Sequence, residues 1–297
     1  MNQSNAPEKE WTVVSLLKTS ADFLKQKGID DARLSAELLL AEVLGLQRME
    51  LYLNFEQPIS PKELEQFRGL VRRRLAGEPV QYILGWEEFF GLRFEVNPAV
   101  LIPRPETELL VESVLDDCDG ATLSILNIGT GSGAIAVALA KSLPAVRIVA
   151  VDISVPALEV AQRNAARHGV ESQIQFLVCD ALQPDFAVQF PERFDVIVSN
   201  PPYVPLAEKE NLQKEVRDFE PAIALFCPTG FEFYEKIATD ALTLLKPKGK
   251  LYLELHADAA EKVGDVLKQK GFQNILFRKD YQGFRRIAVA ELPPAER

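Results

Sequence analysis

From Ser124 onward, short apolar runs alternate with amphipathic stretches. The runs at 124–128, 146–152, 173–179, 194–199, 249–256, 272–279 and 284–291 are short and rich in Val, Ile, Leu and Phe, which predicts strands. Between them, 132–142, 156–168, 231–246 and 257–270 place apolar residues at helical spacing. Such alternation implies a mainly parallel sheet with helices on both faces. Only Asp280-Tyr281-Gln282-Gly283 separates the last two strands. That is too short for a crossover and predicts an antiparallel hairpin at the sheet edge.

The first part of the chain has a different rhythm. Val13, Leu16, Leu17, Ser20, Ala21 and Leu24 share one helical face, and Gly28 ends the run. Asp30 or Asp31 is placed to cap a second helix carrying Leu34, Leu38, Ala41 and Leu44, stopped at Gly45. Ser60-Pro61-Lys62-Glu63 is a capping box with proline at the first helical position, opening a helix to about Leu75. Trp86 to Val96 reads as two short strands around a glycine turn, and Thr107 to about Cys118 as a helix. The expected organisation is a helical domain over 1–85, a hairpin connector over 86–104 and an α/β domain over 105–297.

Composition narrows the class. The 297 residues are 47% hydrophobic and 26% charged, as in an ordinary globular protein. The net charge of −10 argues against gripping nucleic acid by bulk electrostatics. Arg72-Arg73-Arg74 is a small basic run and reads as a solvated helix face. Cys118, Cys179 and Cys227 are scattered, which suggests a reducing compartment without a disulfide framework. With only His168 and His256 beside them, a structural zinc site is not expected. Met1 to Glu10 is polar, and no apolar run approaches the ~18 residues of a membrane helix. A cytoplasmic protein is expected.

Four predicted strand ends carry candidate chemistry. Ile125 to Ile128 runs into Gly129-Thr130-Gly131-Ser132-Gly133 and then a helix. Glycines allow a sharp turn and close approach of a ligand, and the helix start offers free N–H groups. Asp152 ends the next strand, where an acid can accept hydrogen bonds from two ribose hydroxyls. Asp180 ends the third and can accept from an adenine amino group. Either acid alone is as readily a cap or a solvated turn. NAD and S-adenosylmethionine share adenosine, so these residues do not separate them.

The fourth strand ends in Asn200-Pro201-Pro202-Tyr203. Two prolines stop strand pairing and hold the corner stiffly. The Asn200 side-chain oxygen and the Pro201 carbonyl can each accept one N–H of a planar NH₂ group. That orients its lone pair toward a methyl donor, and Tyr203 can stack on the flat acceptor. Catalysis would then be positioning and electrostatics, with no strong base.

The sequence resembles the PrmC/HemK family. The likeness rests on Gly77-Glu78-Pro79-Val80-Gln81-Tyr82-Ile83-Leu84-Gly85, Phe89-Phe90-Gly91 and Val100 to Glu108. Phe219-Glu220-Pro221, Asp280-Tyr281 and Arg285-Arg286 add to it. The resemblance implies a seven-stranded class I methyltransferase (Rossmann-like) α/β sheet with a terminal antiparallel hairpin and a small helical N-terminal domain. It implies methyl transfer from S-adenosylmethionine to the glutamine amide of the Gly-Gly-Gln motif in class 1 peptide chain release factors, the helical domain helping to hold the factor. Carried over by motif, Gly129, Thr130, Gly131, Ser132, Gly133, Asp152, Asp180 and Ala181 bind the cofactor. Asn200 touches cofactor and substrate, while Pro201, Pro202 and Tyr203 form the glutamine pocket, with Pro103 to Thr107 close by. A monomer is expected, with no stably bound nucleic acid and no membrane association.

The chain departs from the family at three positions. Asn127 stands where Asp is usual, removing a charge from any contact with an ammonium group. His256 replaces a glycine and reads as a strand-end surface residue. Ala181 replaces a large aromatic of some relatives, removing a stacking surface. Three alternatives remain at this level: a nucleic-acid amino-methyltransferase, a non-catalytic adaptor and a dehydrogenase.

Overall fold

The computed structural model describes residues 10–117 and 123–294. Two compact units divide at Gly85/Trp86.

The first unit contains α1 (Val13–Gln26), α2 (Ala32–Leu44), α3 (Glu50–Leu53), α4 (Pro61–Leu75) and α5 (Val80–Leu84). Its core joins Val13, Leu16, Leu24, Leu39, Leu40, Phe67 and Val71, the apolar stripes of three amphipathic helices turned toward one another. Both halves of the predicted capping box are made: the Glu63 N–H donates to Ser60 Oγ (3.3 Å), and the Ser60 N–H to Glu63 Oε2 (2.7 Å). The helices α3 and α5 were not legible, because four or five residues are too few to display a period.

Two polar readings in this unit change. Asp31 precedes α2 but makes no side-chain capping bond. It serves Arg74 instead, which is only 3% exposed. The Arg74 guanidinium reaches Asp31 Oδ1 (2.9 Å), Ser35 Oγ (3.1 Å) and the Glu78 carbonyl (3.1 Å). The Arg72–Arg74 run is therefore not one solvated face: position 74 turns inward on the helix, and a buried charge requires partners.

The second unit opens with the antiparallel hairpin β1 (Trp86–Phe89) and β2 (Leu92–Glu95). Phe89 and Phe94 are buried in this unit's core together with Leu110 and Val111, so the hairpin is built into it. There follow α6 (Pro105–Asp116), β3 (Ser124–Ile128), α7 (Ala134–Ser142), β4 (Arg147–Asp152), α8 (Val155–Arg167), β5 (Ile174–Val178) and β6 (Phe194–Ser199). Cys118, the expected end of α6, lies outside the described residues.

The span 200–231, which has no strong period in sequence, holds β7 (Val204–Pro205), α9 (Lys214–Phe219), α10 (Ala222–Leu225) and β8 (Phe226–Cys227). The chain closes with α11 (Glu232–Leu244), β9 (Leu245–Glu254), α12 (Ala260–Gln269), β10 (Gln273–Lys279) and β11 (Arg285–Glu291). Strand β9 starts before the expected 249 because α11 passes directly into it. Close backbone approach demands glycine there: a Cβ on Gly249 would lie 2.8 Å from the Lys246 carbonyl oxygen.

The large sheet has the order β10-β11-β9-β6-β3-β4-β5. From β9 to β5 all neighbours are parallel, and β11 is antiparallel to both β9 and β10. The terminal hairpin thus inserts its second strand next to β9 and leaves β10 at the edge. Apolar clusters cover both faces, α6, α7 and α8 contributing to one and α11 and α12 to the other. This is the doubly covered sheet that the strand–helix alternation requires.

Candidate active site

Parallel pairing brings the carboxyl ends of four strands to one rim. Ile128 pairs with Val151 on one side and Ser199 on the other, and Asp152 pairs with Val178. The residues that follow these ends are Gly129, Asp180 and Asn200. They surround a cavity of about 300 Å³, lined also by Gly131, Asp152, Ala181, Pro201 and Pro202. Such a crevice at the strand ends is where open α/β sheets bind ligands.

The glycine loop is held in shape by its neighbour strand. The Gly129 and Thr130 N–H groups both donate to the Val151 carbonyl at 2.9 Å. Gly129, Gly131 and Gly133 all have positive φ. Gly133 is the N-cap of α7, and a Cβ there would sit 3.0 Å from Ala161 Cβ. Gly133 and Ser132 therefore set helix packing; the Ser132 carbonyl accepts from Asn164 Nδ2 at 2.9 Å. Thr130 is buried, and its hydroxyl has no hydrogen-bond partner.

The two aspartates organise their own loops. Asp152 accepts from the Gly131 N–H at 2.8 Å and the Ser154 N–H at 2.9 Å. Burial pushes its carboxyl upward, against these hydrogen bonds. Asp180 accepts from the Leu182 N–H and the Gln183 side-chain amide, both at 2.9 Å. The capping and ligand readings are compatible, because a carboxylate has about four acceptor sites and both aspartates line the cavity.

At the Asn200 corner a buried polar chain emerges. Asn200 Nδ2 donates to Thr107 Oγ1 (3.1 Å), and the Thr107 hydroxyl donates to Glu254 Oε2 (2.6 Å). The Tyr203 hydroxyl donates to Glu254 Oε1 (3.1 Å). Glu254 is 2% exposed and Thr107 5%. Burial pushes the Glu254 carboxyl up to about 7, while the Thr107 and Tyr203 hydroxyls and the Arg286 charge act in the other direction. Burial and the Glu254 charge push the Tyr203 phenol well above its usual range. Tyr203 is tied by its hydroxyl, and its ring stands edge-on to His256 at 6.0 Å. His256 thus stays a partly exposed residue just past the end of β9, in ring contact with Tyr203. The Pro201 carbonyl and Asn200 Oδ1 have no hydrogen-bond partner among the described residues.

Two further groups brace the rim. Glu220, 6% exposed, accepts from the Ile102 N–H (3.1 Å) and from the Arg104 guanidinium, joining the 102–104 stretch to the 200–231 span. Arg286 donates to Asp280 Oδ2 (2.9 Å) and to the Leu255 carbonyl (3.3 Å), tying the hairpin to the end of β9. Cys227 donates its thiol to the Pro202 carbonyl (3.2 Å), and burial pushes the thiol up to about 11.

Thr107 falls in the Pro103 to Thr107 segment that the resemblance places near the pocket, and it bonds Asn200; Glu254 is not among the expected site residues. The available signal was an acid inside the apolar run Leu251-Tyr252-Leu253-Glu254-Leu255, which a buried strand tolerates only with partners. Which partners it finds is set by the approach of α6 to β9.

The sheet order, the parallel strand ends and the terminal antiparallel pair define a class I methyltransferase. A methyltransferase-domain model matches residues 119–281 and a PrmC N-terminal domain model residues 15–85. The chain is 51% identical to a release factor glutamine methyltransferase of Chlorobaculum tepidum, covering 94% of this chain and 97% of the relative. Identity to the one from Geobacter sulfurreducens is 45%, over 93% and 95%. The chain belongs to the release factor glutamine methyltransferase family. Among solved structures, the delta-N METTL16 MTase domain superposes with a TM-score of 0.52 at 19% identity, covering 68% of this chain and 89% of that one, a likeness of fold.

The residues present fit S-adenosylmethionine, the methyl donor of this class. The cavity is of ligand size, Asp152 and Asp180 retain acceptor capacity at its rim, and apolar Val151 and Ala181 line it. Asn127, fully buried at the strand end feeding the glycine loop, has an Oδ1 atom with no partner. Its amide N–H donates to the Val198 carbonyl at 3.3 Å.

Proposed function

We propose that this protein methylates the side-chain amide nitrogen (N5) of the glutamine in the Gly-Gly-Gln motif of class 1 peptide chain release factors. The observation that carries this reading is the Asn200-Pro201 corner beside the cavity, with two acceptor oxygens that have no partner among the described residues. Family membership supplies the acceptor class.

Bound S-adenosylmethionine supplies an electrophilic sulfonium methyl. Gly129 and Gly131 let it approach the backbone, Asp152 accepts from its ribose, and Asp180 and Ala181 border its adenine. Asn200 Oδ1 and the Pro201 carbonyl each take one N–H of the glutamine amide. Both hydrogen bonds strengthen as positive charge develops on nitrogen, so they favour the transition state over the ground state, and the surplus N–H proton is lost during or after transfer without a strong base. Pro202 and Tyr203 wall the glutamine pocket. The residue 1–85 unit holds the release factor. The setting is the cytoplasm, with the protein acting as a monomer and no nucleic acid held stably.

The test is transfer of labelled methyl from S-adenosylmethionine, with release factor, DNA and RNA compared side by side. Label should appear only on the release factor and vanish when the Gly-Gly-Gln glutamine is replaced. Unchanged labelling of that variant would sink the glutamine assignment.

A further inference from the structure

We infer that Glu254, acting through the Thr107 hydroxyl, is a positioning residue that fixes which end of the Asn200 amide faces the acceptor. This deepens the proposed function and rests on it for the identity of the acceptor, but not for the orientation itself.

The argument is a count of protons along the chain Glu254–Thr107–Asn200. A hydroxyl has one proton to donate and lone pairs to accept with. Ionised Glu254 can only accept, so at 2.6 Å the Thr107 proton lies toward Glu254. Thr107 Oγ1 then presents only lone pairs to Asn200 at 3.1 Å. The Asn200 amide must turn its NH₂ toward Thr107, which leaves Oδ1 for the substrate. A flipped amide would offer N–H to an acceptor NH₂ group, donor against donor, and would orient no lone pair.

Protonation of Glu254 removes the constraint. A carboxylic acid can donate to Thr107 Oγ1, the Thr107 proton can then turn to Asn200, and the flipped amide becomes equally well bonded. The groups that set this equilibrium come from every element around the carboxyl. Tyr203 donates from the Asn-Pro-Pro-Tyr corner, and Tyr234 of α11 bonds the Glu254 carbonyl at 3.1 Å. Arg286 of β11 favours the ionised form, and Glu106 of α6 opposes it. His256 stands against Tyr203, with Glu208 at 3.6 Å from its Nε2. Burial of Glu254 places the titration near neutrality. Because neither Glu254 nor Thr107 lines the cavity, the pair acts on the amide and not on cofactor contacts.

The test uses the full-length protein with S-adenosylmethionine bound and four forms: wild type, Glu254→Gln, Thr107→Val and Thr107→Ser. Gln mimics the protonated acid, Val removes the relay, and Ser keeps it. The orientation is read directly by nuclear magnetic resonance as the nuclear Overhauser effect between the Asn200 side-chain amide protons and the methyl of residue 107. It should be present in wild type above pH 8 and weakened in Glu254→Gln. In turnover, kcat should fall roughly 10–100-fold in Glu254→Gln and Thr107→Val, as expected when a reacting group loses its alignment. KM for the release factor and cofactor affinity by calorimetry should be unchanged, and Thr107→Ser should restore kcat. Wild-type kcat should rise through pH 7, and the Glu254→Gln profile should be flat there. Wild-type kcat in both Glu254→Gln and Thr107→Val, or an unweakened Overhauser effect in Glu254→Gln, overturns the inference. If wild type fails to label the release factor, the proposed function fails, and the Overhauser comparison still decides the orientation.

Discussion

Single side chains at this site do separable work. If Asn200 holds the acceptor as proposed, Asn200→Ala should lower kcat by ~10²-fold or more, the scale for losing one preorganised polar contact to a developing charge. Cofactor affinity, measured by calorimetry, should fall far less; equal losses would make Asn200 chiefly a cofactor ligand. Glu254 also leaves a mark on stability. Its folded-state pKa of about 7 lies above the ordinary value of 4.5. The native state therefore binds more protons than the unfolded chain between these values, and stability falls as pH rises through this window. The contribution is roughly 3 kcal/mol by the 1.36 kcal/mol per pH unit relation. Urea titrations from pH 4.5 to 8 should show wild type losing stability relative to Glu254→Gln by that order. A constant difference would mean that Glu254 stays ionised throughout.

Among the elements, the junction of the glycine loop with α7 and α8 is the most exacting. Gly133 combines a φ of +81° with contact to Ala161. Gly133→Ala should cost about 1–3 kcal/mol, because the added methyl must push two packed helices apart in an already strained backbone. Chemical denaturation measures this, and a loss under 0.5 kcal/mol would show that α8 yields freely. The 200–231 span depends on fewer anchors. The Glu220 carboxyl, held by Arg104 and the Ile102 N–H, ties it to the segment before α6. Burial pushes that carboxyl upward in spite of Arg104.

At the scale of the molecule, two separately cored units share one chain. A ligand that binds only the native state stabilises by RT ln(1 + [L]/Kd), about 2.7 kcal/mol at a hundredfold excess over Kd. S-adenosylmethionine should therefore raise the melting transition of the Trp86–Arg297 unit in scanning calorimetry and leave that of the Met1–Gly85 unit in place. Equal shifts of both would mean that the units melt together. The acidic surface is consistent with a protein acceptor, since a net charge of −10 repels a phosphate backbone.

The strands of the sheet, the hairpin at its end and the capping box at Ser60 could be read from local pattern, because each rests on period, turn length or a residue three positions away. So could Gly129, Asp152, Asp180 and Asn200, because a parallel sheet gathers its strand ends wherever the strands fall in sequence. The small helices α3 and α5 and the 200–231 span could not, being too short to show a period. Nor could the inward turn of Arg74, which depends on Asp31 and Ser35 reaching it from another helix. The amino-acid order alone thus determined the class of sheet and the rim that gathers Gly129, Asp152, Asp180 and Asn200 around one cavity. Only the tertiary structure decided what holds the Asn200 corner. Thr107 and Glu254 are 147 residues apart, so local pattern can show a buried acid but not the partner it finds. The pairing exists only because burial strips water from the carboxylate and makes the Thr107 hydroxyl one of its few remaining donors.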